Sequence, residues 1–153
     1  WFDAPLSQGT GGGVSALFER PEWQQDLSVD RGAGQRLTPD IAAVADPFTG
    51  VKIVFNQQVV VGGGTSLAAP VWAGLTALMT QYLKQRGGRE IGDLNPMLYR
   101  VAAGAPLPAF RDITLGGNAV EVAQPGYDLV TGLGTPDVNN LVQNLLVVQR
   151  LTE

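Results

Sequence analysis

The longest apolar stretch of the chain, residues 67–79, predicts the central helix of the fold. Nearly every face of a helix drawn through this stretch carries an apolar side chain, whereas a surface helix keeps such side chains to one stripe. We therefore expect a helix over residues 67–85 that is buried on most sides. The stretch contains Pro70 and Gly74 and is shorter than the roughly 20 residues that span a bilayer, so we expect no membrane anchor.

Three patterns upstream of this helix predict strands and turns. β-Branched runs at residues 51–55 and 58–61, joined by two polar residues, predict a β-hairpin. Residues 41–45 form a short apolar run that predicts a buried strand. Residues 1–40 are rich in glycine and turn formers, and they predict an irregular connection.

Two shorter helices are predicted downstream. Asp93 or Asn95 can cap the first, with Pro96 at its first helical position. The second is expected to start at Thr135, because apolar side chains recur after it at helical spacing, at Val138, Leu141, Val142, Leu145 and Leu146. Residues 110–134, between the two helices, are rich in turn-forming residues.

Composition narrows the chemistry that the chain can perform. With 153 residues and 44% hydrophobic content, it is long enough for one domain with a real core. A net charge of -4 without a basic cluster gives no reason to expect a nucleic-acid partner. The sequence has no cysteine and no histidine, which excludes thiol chemistry and removes the usual general base near neutral pH. Any acid–base chemistry therefore belongs to carboxylates.

Ser66 is the candidate nucleophile, since it lies between a glycine turn and the start of the apolar helix. A serine in this place is most often a helix cap. It can also serve catalysis, because backbone N–H groups at a helix start are unpartnered and the helix dipole favours negative charge there. The preceding Gly62-Gly63-Gly64 leaves room for another backbone, and Pro70 removes the N–H that would bond the Ser66 carbonyl.

Gly64-Thr65-Ser66 followed by Ala69-Pro70 resembles the nucleophile motif of the subtilisin-like fold, which subtilases and sedolisins (serine-carboxyl peptidases) share. Further segments resemble sedolisin segments in sedolisin order and cover nearly the whole chain. They are residues 11–15 with 21–24, 39–42, 94–99, 110–114 and 126–128.

The resemblance implies an α/β, subtilisin-like fold with a central parallel sheet, of which residues 1–153 are the C-terminal portion. It also implies a secreted serine-type endopeptidase that hydrolyses polypeptides at acid pH, with Ser66 as nucleophile and a glutamate–aspartate pair as its activator. A glutamate has an ordinary pKa of about 4.3, so it can accept a proton in acid, where imidazole would already be charged. The family's acid pair and oxyanion aspartate lie upstream of residue 1, so we expect this chain alone to be inactive.

Asp112 and Asp128 lie in the turn-rich segment, where aspartates commonly stabilise turns by bonding their own backbone. The resemblance implies instead that they bind calcium. The implied ligands are the carboxylates of Asp112 and Asp128 with the backbone carbonyls of Ile113, Gln124 and Gly126. Hard cations prefer such oxygen donors. Gln124 stands where the family usually has glycine.

Four other residues are interpreted structurally. Asp40, before an apolar run, is expected to make buried hydrogen bonds rather than to act as a catalytic acid. Trp23 and Trp72 are expected in the core, and Tyr127 is expected to pack over the calcium loop. Two alternatives stay open for the whole chain: a subtilase that relies on an upstream histidine, and a non-catalytic peptidase-like domain stabilised by calcium.

Overall fold

The computed structural model describes residues 1–29 and 34–151. It contains a short 3₁₀ turn at Glu22–Gln24 and three α-helices, which are α1 (Thr65–Gln85), α2 (Leu94–Gly104) and α3 (Val138–Leu151). Short strands complete the described part, namely β1 (Phe2–Asp3), β2 (Gln8–Gly9), β3 (Gly13–Glu19), β4 (Gln35–Thr38), β5 (Val51–Phe55), β6 (Gln58–Gly62), β7 (Phe110–Arg111) and β8 (Thr135–Pro136).

The core lies between the three helices. Helix α3 packs against both α1 and α2, and the fully buried side chains of this cluster are Met79, Leu83, Leu98, Leu141 and Leu145. The apolar spacing predicted for α3 is confirmed at Leu141, Val142 and Leu145. This helix begins at Val138 rather than at Thr135, because Thr135–Pro136 pairs with Phe110–Arg111 as a strand.

Helix α1 extends over the predicted residues, but the expectation that it is buried on most sides is wrong. Its buried side chains are Trp72, Met79 and Leu83, which lie on one face, whereas Leu78 is 63% exposed. A helix can bury only as many faces as it has neighbours, and α3 is the helix that packs against α1 in the described part of the chain. The apolar residues on the remaining faces therefore meet solvent.

The hairpin of β5 and β6 is confirmed, with Val51 opposite Gly62 and Phe55 opposite Gln58. Its turn residues Asn56 and Gln57 both adopt left-handed backbone angles, with φ of 48° and 61°. This is the pattern of a type I′ turn, whose twist matches that of the strands. The hairpin is apolar on both faces, and most of its side chains are exposed.

Two predictions for the first part of the chain are wrong. Residues 13–19 and 35–38 form the antiparallel pair of β3 and β4, where an irregular connection was expected; residues 30–33 of that connection lie outside the described residues. Residues 41–45, expected as a strand, have no regular secondary structure. Loops border them instead, since Ala42 N–H donates to the Gly134 carbonyl and Gly64 N–H donates to the Ala45 carbonyl.

The helices and small sheets are those of a partial α/β domain. All four sheets of the described residues are two-stranded and antiparallel, so the expected central parallel sheet is not among them. Two parallel strands that are neighbours in a sheet need a long crossover connection between them. Residues 41–45, the predicted buried strand, have loops beside them instead of strands. In the part of the chain that the structure describes, no helix is both long and apolar enough to cross a membrane.

Candidate active site and calcium loop

Ser66 is the second residue of α1, and it is exposed. The cap position belongs to Gly64, whose φ of 83° favours glycine and whose carbonyl accepts hydrogen bonds from Leu67 and Ala68 N–H at 2.9 and 3.4 Å. Ser66 is therefore inside the helix and is not its cap. In the first turn of a helix its N–H is free for a ligand. The hydroxyl and this N–H together suit a nucleophile with an adjacent oxyanion donor.

Pro70 stands inside α1 without ending it. Because proline has no N–H, the Ser66 carbonyl lacks the donor that residue i+4 normally supplies. The first turn of α1 is consequently held by fewer internal hydrogen bonds than the rest of the helix.

The glycines before Ser66 admit a close backbone, but at Gly63 this backbone belongs to the same chain. A β-carbon at Gly63 would lie 2.4 Å from the Pro47 α-carbon. Gly63 is therefore needed for the turn after residues 41–45 to approach the start of α1. The space expected there for a substrate strand is taken by Pro47.

Two hydrogen bonds attach the start of α1 to residues 42–45. Gly64 N–H donates to the Ala45 carbonyl at 2.5 Å, and the Trp72 indole N–H donates to the Ala42 carbonyl at 3.1 Å. Trp72 is 8% exposed, so its expected place in the core is confirmed. Among the hydrogen bonds of residues 1–29 and 34–151, none joins the Ser66 hydroxyl to a carboxylate.

Asp40 is a structural acid, as predicted. Its Oδ1 accepts from the Tyr99 hydroxyl at 2.8 Å and from Gln24 Nε2 at 3.3 Å, and its Oδ2 accepts from Asn95 Nδ2 at 3.2 Å. Arg36 pairs with the same oxygen at 2.5 Å. Four donors thus satisfy a carboxylate that is 14% exposed, and they join β4, α2 and the 3₁₀ turn.

Three aromatic rings extend this cluster. The Trp23 and Tyr99 ring centroids are 4.8 Å apart, and those of Tyr99 and Tyr127 are 6.3 Å apart. The Tyr127 hydroxyl donates to the Pro39 carbonyl at 2.9 Å. Burial raises the pKa of both Tyr99 and Tyr127, and the nearby Asp40 charge raises each pKa further. Both tyrosines therefore keep their protons at neutral and acid pH.

The candidate calcium loop, by which we mean residues 112–113 and 124–128, brings the two predicted carboxylates to one short segment. Asp112 Oδ2 accepts from Gly126 N–H at 2.7 Å, and Asp128 Oδ2 accepts from Gln124 N–H at 3.0 Å. Asp112 is exposed, whereas Asp128 is 4% exposed. Ile113, the fifth predicted ligand, follows Asp112 directly and is half-buried. All five would offer oxygen atoms, which are the donors that calcium prefers.

Asp128 also fulfils the turn role that its position predicts. Its Oδ1 accepts from Val130 and Thr131 N–H at 2.8 and 2.7 Å, and the Thr131 hydroxyl bonds to both carboxylate oxygens. Within the described residues, no group of three or more His, Cys, Asp or Glu side chains could hold a metal ion. A calcium ion in this loop would therefore depend on backbone carbonyls for much of its coordination.

A cleft beside the candidate calcium loop does not include Ser66. Its volume is about 1150 Å³, and its walls come from α2, the 3₁₀ turn and the loops around Phe110 and Tyr127.

Known proteins resemble this chain along most of its length. No model of a protein family matches it. Kumamolisin from Bacillus sp. (strain MN-32) is 42% identical over 157 residues, which cover 95% of this chain and 27% of kumamolisin. Tripeptidyl-peptidase 1 from Dictyostelium discoideum is 34% identical over 155 residues, which cover 90% of this chain and 25% of that protein. The chain thus spans about a quarter of the length of these relatives.

A solved structure shows the same fold. Pseudomonas sedolisin (serine-carboxyl proteinase), complexed with two molecules of pseudo-iodotyrostatin, matches with a TM-score of 0.74 and 31% identity over 87% of this chain and 35% of that chain. The expected subtilisin-like α/β class is therefore confirmed. The chain belongs to the sedolisin family and fits the C-terminal portion of a domain of that family.

Proposed function

We propose that this chain contributes the nucleophile of a serine-carboxyl peptidase, with Ser66 attacking the carbonyl carbon of a peptide bond. The observation that carries the proposal is the exposed Ser66 hydroxyl in the first turn of α1, with Gly64 and not Ser66 as the cap. The relatives of the chain are peptidases by name, which supports the same reaction class.

In the proposed reaction the Ser66 hydroxyl gives its proton to a glutamate while its oxygen bonds to the substrate carbon. The carbonyl oxygen becomes an oxyanion, which the Ser66 N–H and the positive end of the α1 dipole stabilise. The glutamate then returns the proton to the leaving amine as the peptide C–N bond breaks, and water releases the acyl group by the same route. A glutamate base favours acid pH.

We place that glutamate, its aspartate partner and the oxyanion aspartate in the upstream part of the same domain. The absence of a carboxylate on the Ser66 hydroxyl in the described residues is compatible with this arrangement. Exposed apolar surface supports it further, since both faces of the β5–β6 hairpin and Leu78 on α1 lack a cover. Surfaces of this kind mark places where another part of a protein packs.

The substrate of the complete enzyme would be a polypeptide. We propose cleavage within the chain of the substrate, and the relatives named tripeptidyl-peptidase provide a second candidate, the removal of tripeptides from a free amino terminus. A peptide with a blocked amino terminus distinguishes them, because only an endopeptidase cleaves it. By the same resemblance we expect a secreted protein.

The decisive experiment uses the whole protein that contains this chain, assayed at acid pH on a denatured protein substrate. Ser66→Ala should lower kcat/KM by roughly a thousandfold or more, as expected for a nucleophile. Ser28→Ala, which removes another exposed serine hydroxyl, is the matched control. Full activity of Ser66→Ala would end the proposal. Cleavage by the 153-residue chain alone would contradict the placement of the acids outside it.

The two alternatives make different demands on the whole protein. A subtilase needs a histidine and a separate aspartate upstream, whereas the proposed mechanism needs a Glu-x-x-x-Asp pair on an upstream helix. A non-catalytic domain would not react at low pH with a peptide aldehyde that traps serine nucleophiles.

We also propose that the candidate calcium loop binds Ca²⁺ through the carboxylates of Asp112 and Asp128 and the carbonyls of Ile113, Gln124 and Gly126. The hydrogen bonds from Gly126 and Gln124 N–H support it, because they hold both carboxylates against the segment that would supply two of the carbonyls. Bound calcium would cross-link residues 112–113 to 124–128 and stabilise the folded state.

A further inference from the structure

We infer that Trp72 is a positioning residue for Ser66, acting through the hydrogen bond from its indole N–H to the Ala42 carbonyl. The bond length is 3.1 Å, and the ring is 8% exposed. The role of Ser66 as nucleophile rests on the proposed function. The role of Trp72 in holding the start of α1 in place rests on the contacts of α1 alone.

The two attachments of α1 lie about two helical turns apart. Gly64 and Trp72 are separated by about 12 Å along a helix that rises 1.5 Å per residue. Their acceptors, Ala45 and Ala42, belong to one short segment of the chain. Two bonds at separate points fix both the position of a helix along its partner and its tilt, whereas a single bond would leave the tilt free.

Residues 42–45 form a fixed base for this attachment. Ala42 N–H donates to the Gly134 carbonyl at 2.9 Å, and Leu133 N–H donates to the Asp40 carbonyl at 2.8 Å. A β-carbon at Gly134 would lie 2.2 Å from the Arg111 carbonyl oxygen, so this loop is itself closely packed. The base is thus bonded to the loop at residues 133–134 as well as to the start of α1.

The first turn of α1 depends on these external bonds more than an ordinary first turn does. Pro70 cannot donate to the Ser66 carbonyl, so one internal bond between the first and second turns is missing. Without the Trp72 bond, Gly64 N–H would supply the one remaining hydrogen bond between the start of α1 and residues 42–45 in the described part of the chain. The N–H groups around Ser66 would then be less well ordered.

A single introduced thiol can report on this order. The chain has no cysteine, so Ser66→Cys creates a unique thiol at the same place. Ordered N–H groups at a helix start lower the pKa of a thiol. We would measure the thiol pKa, the rate of its reaction with iodoacetamide at neutral pH, and amide hydrogen exchange at Leu67 and Ala68, all in the full chain.

Adding Trp72→Phe keeps an aromatic ring and removes the donor. We expect a higher thiol pKa, at least threefold slower alkylation and at least threefold faster exchange at Leu67 and Ala68. Trp23→Phe is the matched control, because its ring packs on Tyr99 and Arg36, and it should leave all three readouts unchanged.

Unchanged readouts in folded Trp72→Phe would overturn the inference and reduce Trp72 to a packing residue. Should that variant unfold, a tryptophan analogue with sulfur in place of the indole N–H keeps the ring volume, and the same readouts decide. None of these measurements involves hydrolysis. A chain whose Ser66 proves non-catalytic can therefore still confirm the role of Trp72, and a peptidase can still refute it.

Discussion

The Tyr99 hydroxyl donates a hydrogen bond to Asp40 Oδ1 at 2.8 Å, across 59 positions of sequence. The same hydroxyl accepts a bond from Gln24 Nε2 at 2.8 Å, and Gln24 in turn bonds both the N–H and the carbonyl of Leu37. Gln24 and Leu37 are fully buried. The hydrogen bonds from Tyr99 to Gln24 and from Gln24 to Leu37 therefore connect α2 to β4 through buried polar groups.

Tyr99→Phe should lower the free energy of unfolding by about 1–3 kcal/mol, because Gln24 Nε2 and Asp40 Oδ1 each lose one hydrogen bond within the cluster. Urea unfolding of the chain measures the change. Tyr82→Phe, on α1, is the control, and it should cost less than about 0.5 kcal/mol as a half-buried substitution outside the cluster. Equal losses for the two variants would mean that the cluster adds little to stability.

Stability should fall at alkaline pH because of the buried tyrosines. Burial raises the pKa of Tyr99 and Tyr127 above the ordinary value of about 10, so unfolded tyrosines lose their protons first. Their contribution is fully present below that ordinary pKa and is lost as the pH rises past it, by up to about 1.4 kcal/mol per pH unit for each. Urea unfolding at a series of pH values, compared with Tyr127→Phe, checks this. Identical slopes would refute the role of Tyr127.

Calcium should raise the melting temperature of chelator-treated protein if the loop binds the ion. A free concentration of 100 times the Kd gives about 2.7 kcal/mol of stabilisation. Asp112→Asn should abolish most of this rise, since it removes an exposed carboxylate without disturbing the core. Asp26→Asn, also exposed, is the charge-matched control. An unchanged melting temperature in the parent chain would count against the site.

Two adjacent residues on α1 test how the helix is buried. Met79 is 2% exposed and Leu78 is 63% exposed. Met79→Ala should therefore cost about 2–5 kcal/mol, and Leu78→Ala less than about 1 kcal/mol, when the chain unfolds by itself. If another part of the domain covers α1, the cost of Leu78→Ala should rise in the whole protein. Similar costs for both residues in the isolated chain would argue that α1 has a further neighbour there.

Secondary-structure elements that depend on residues close together in the chain could be predicted from the sequence. The β5–β6 hairpin follows from two β-branched runs around a short polar turn, and α3 follows from its apolar spacing. Asp93 caps α2 by accepting from Asn95 N–H at 3.3 Å, which settles the choice between two candidate caps. The structural role of Asp40 could also be predicted, although its partners could not.

What could not be predicted depends on distant contacts. The pairing of β3 with β4 is supported by the hydrogen bonds from Gln24 to Leu37. No hydrophobic periodicity in the sequence predicts these bonds. The exposure of α1 depends on which neighbours are present, whereas its composition shows only that its faces are apolar. The same holds at the site, since the bond from Trp72 to Ala42 joins residues 30 positions apart.

The hairpin of β5 and β6 has a practical consequence for anyone who prepares this chain. Its strands are paired only with each other among the described residues, so each keeps an outer edge of unsatisfied N–H and carbonyl groups. Valine-rich edges of this kind are templates for strand addition between molecules. A purified sample would therefore tend toward fibrils as its concentration increases, and a charge placed at exposed Val54 or Val59 should delay them.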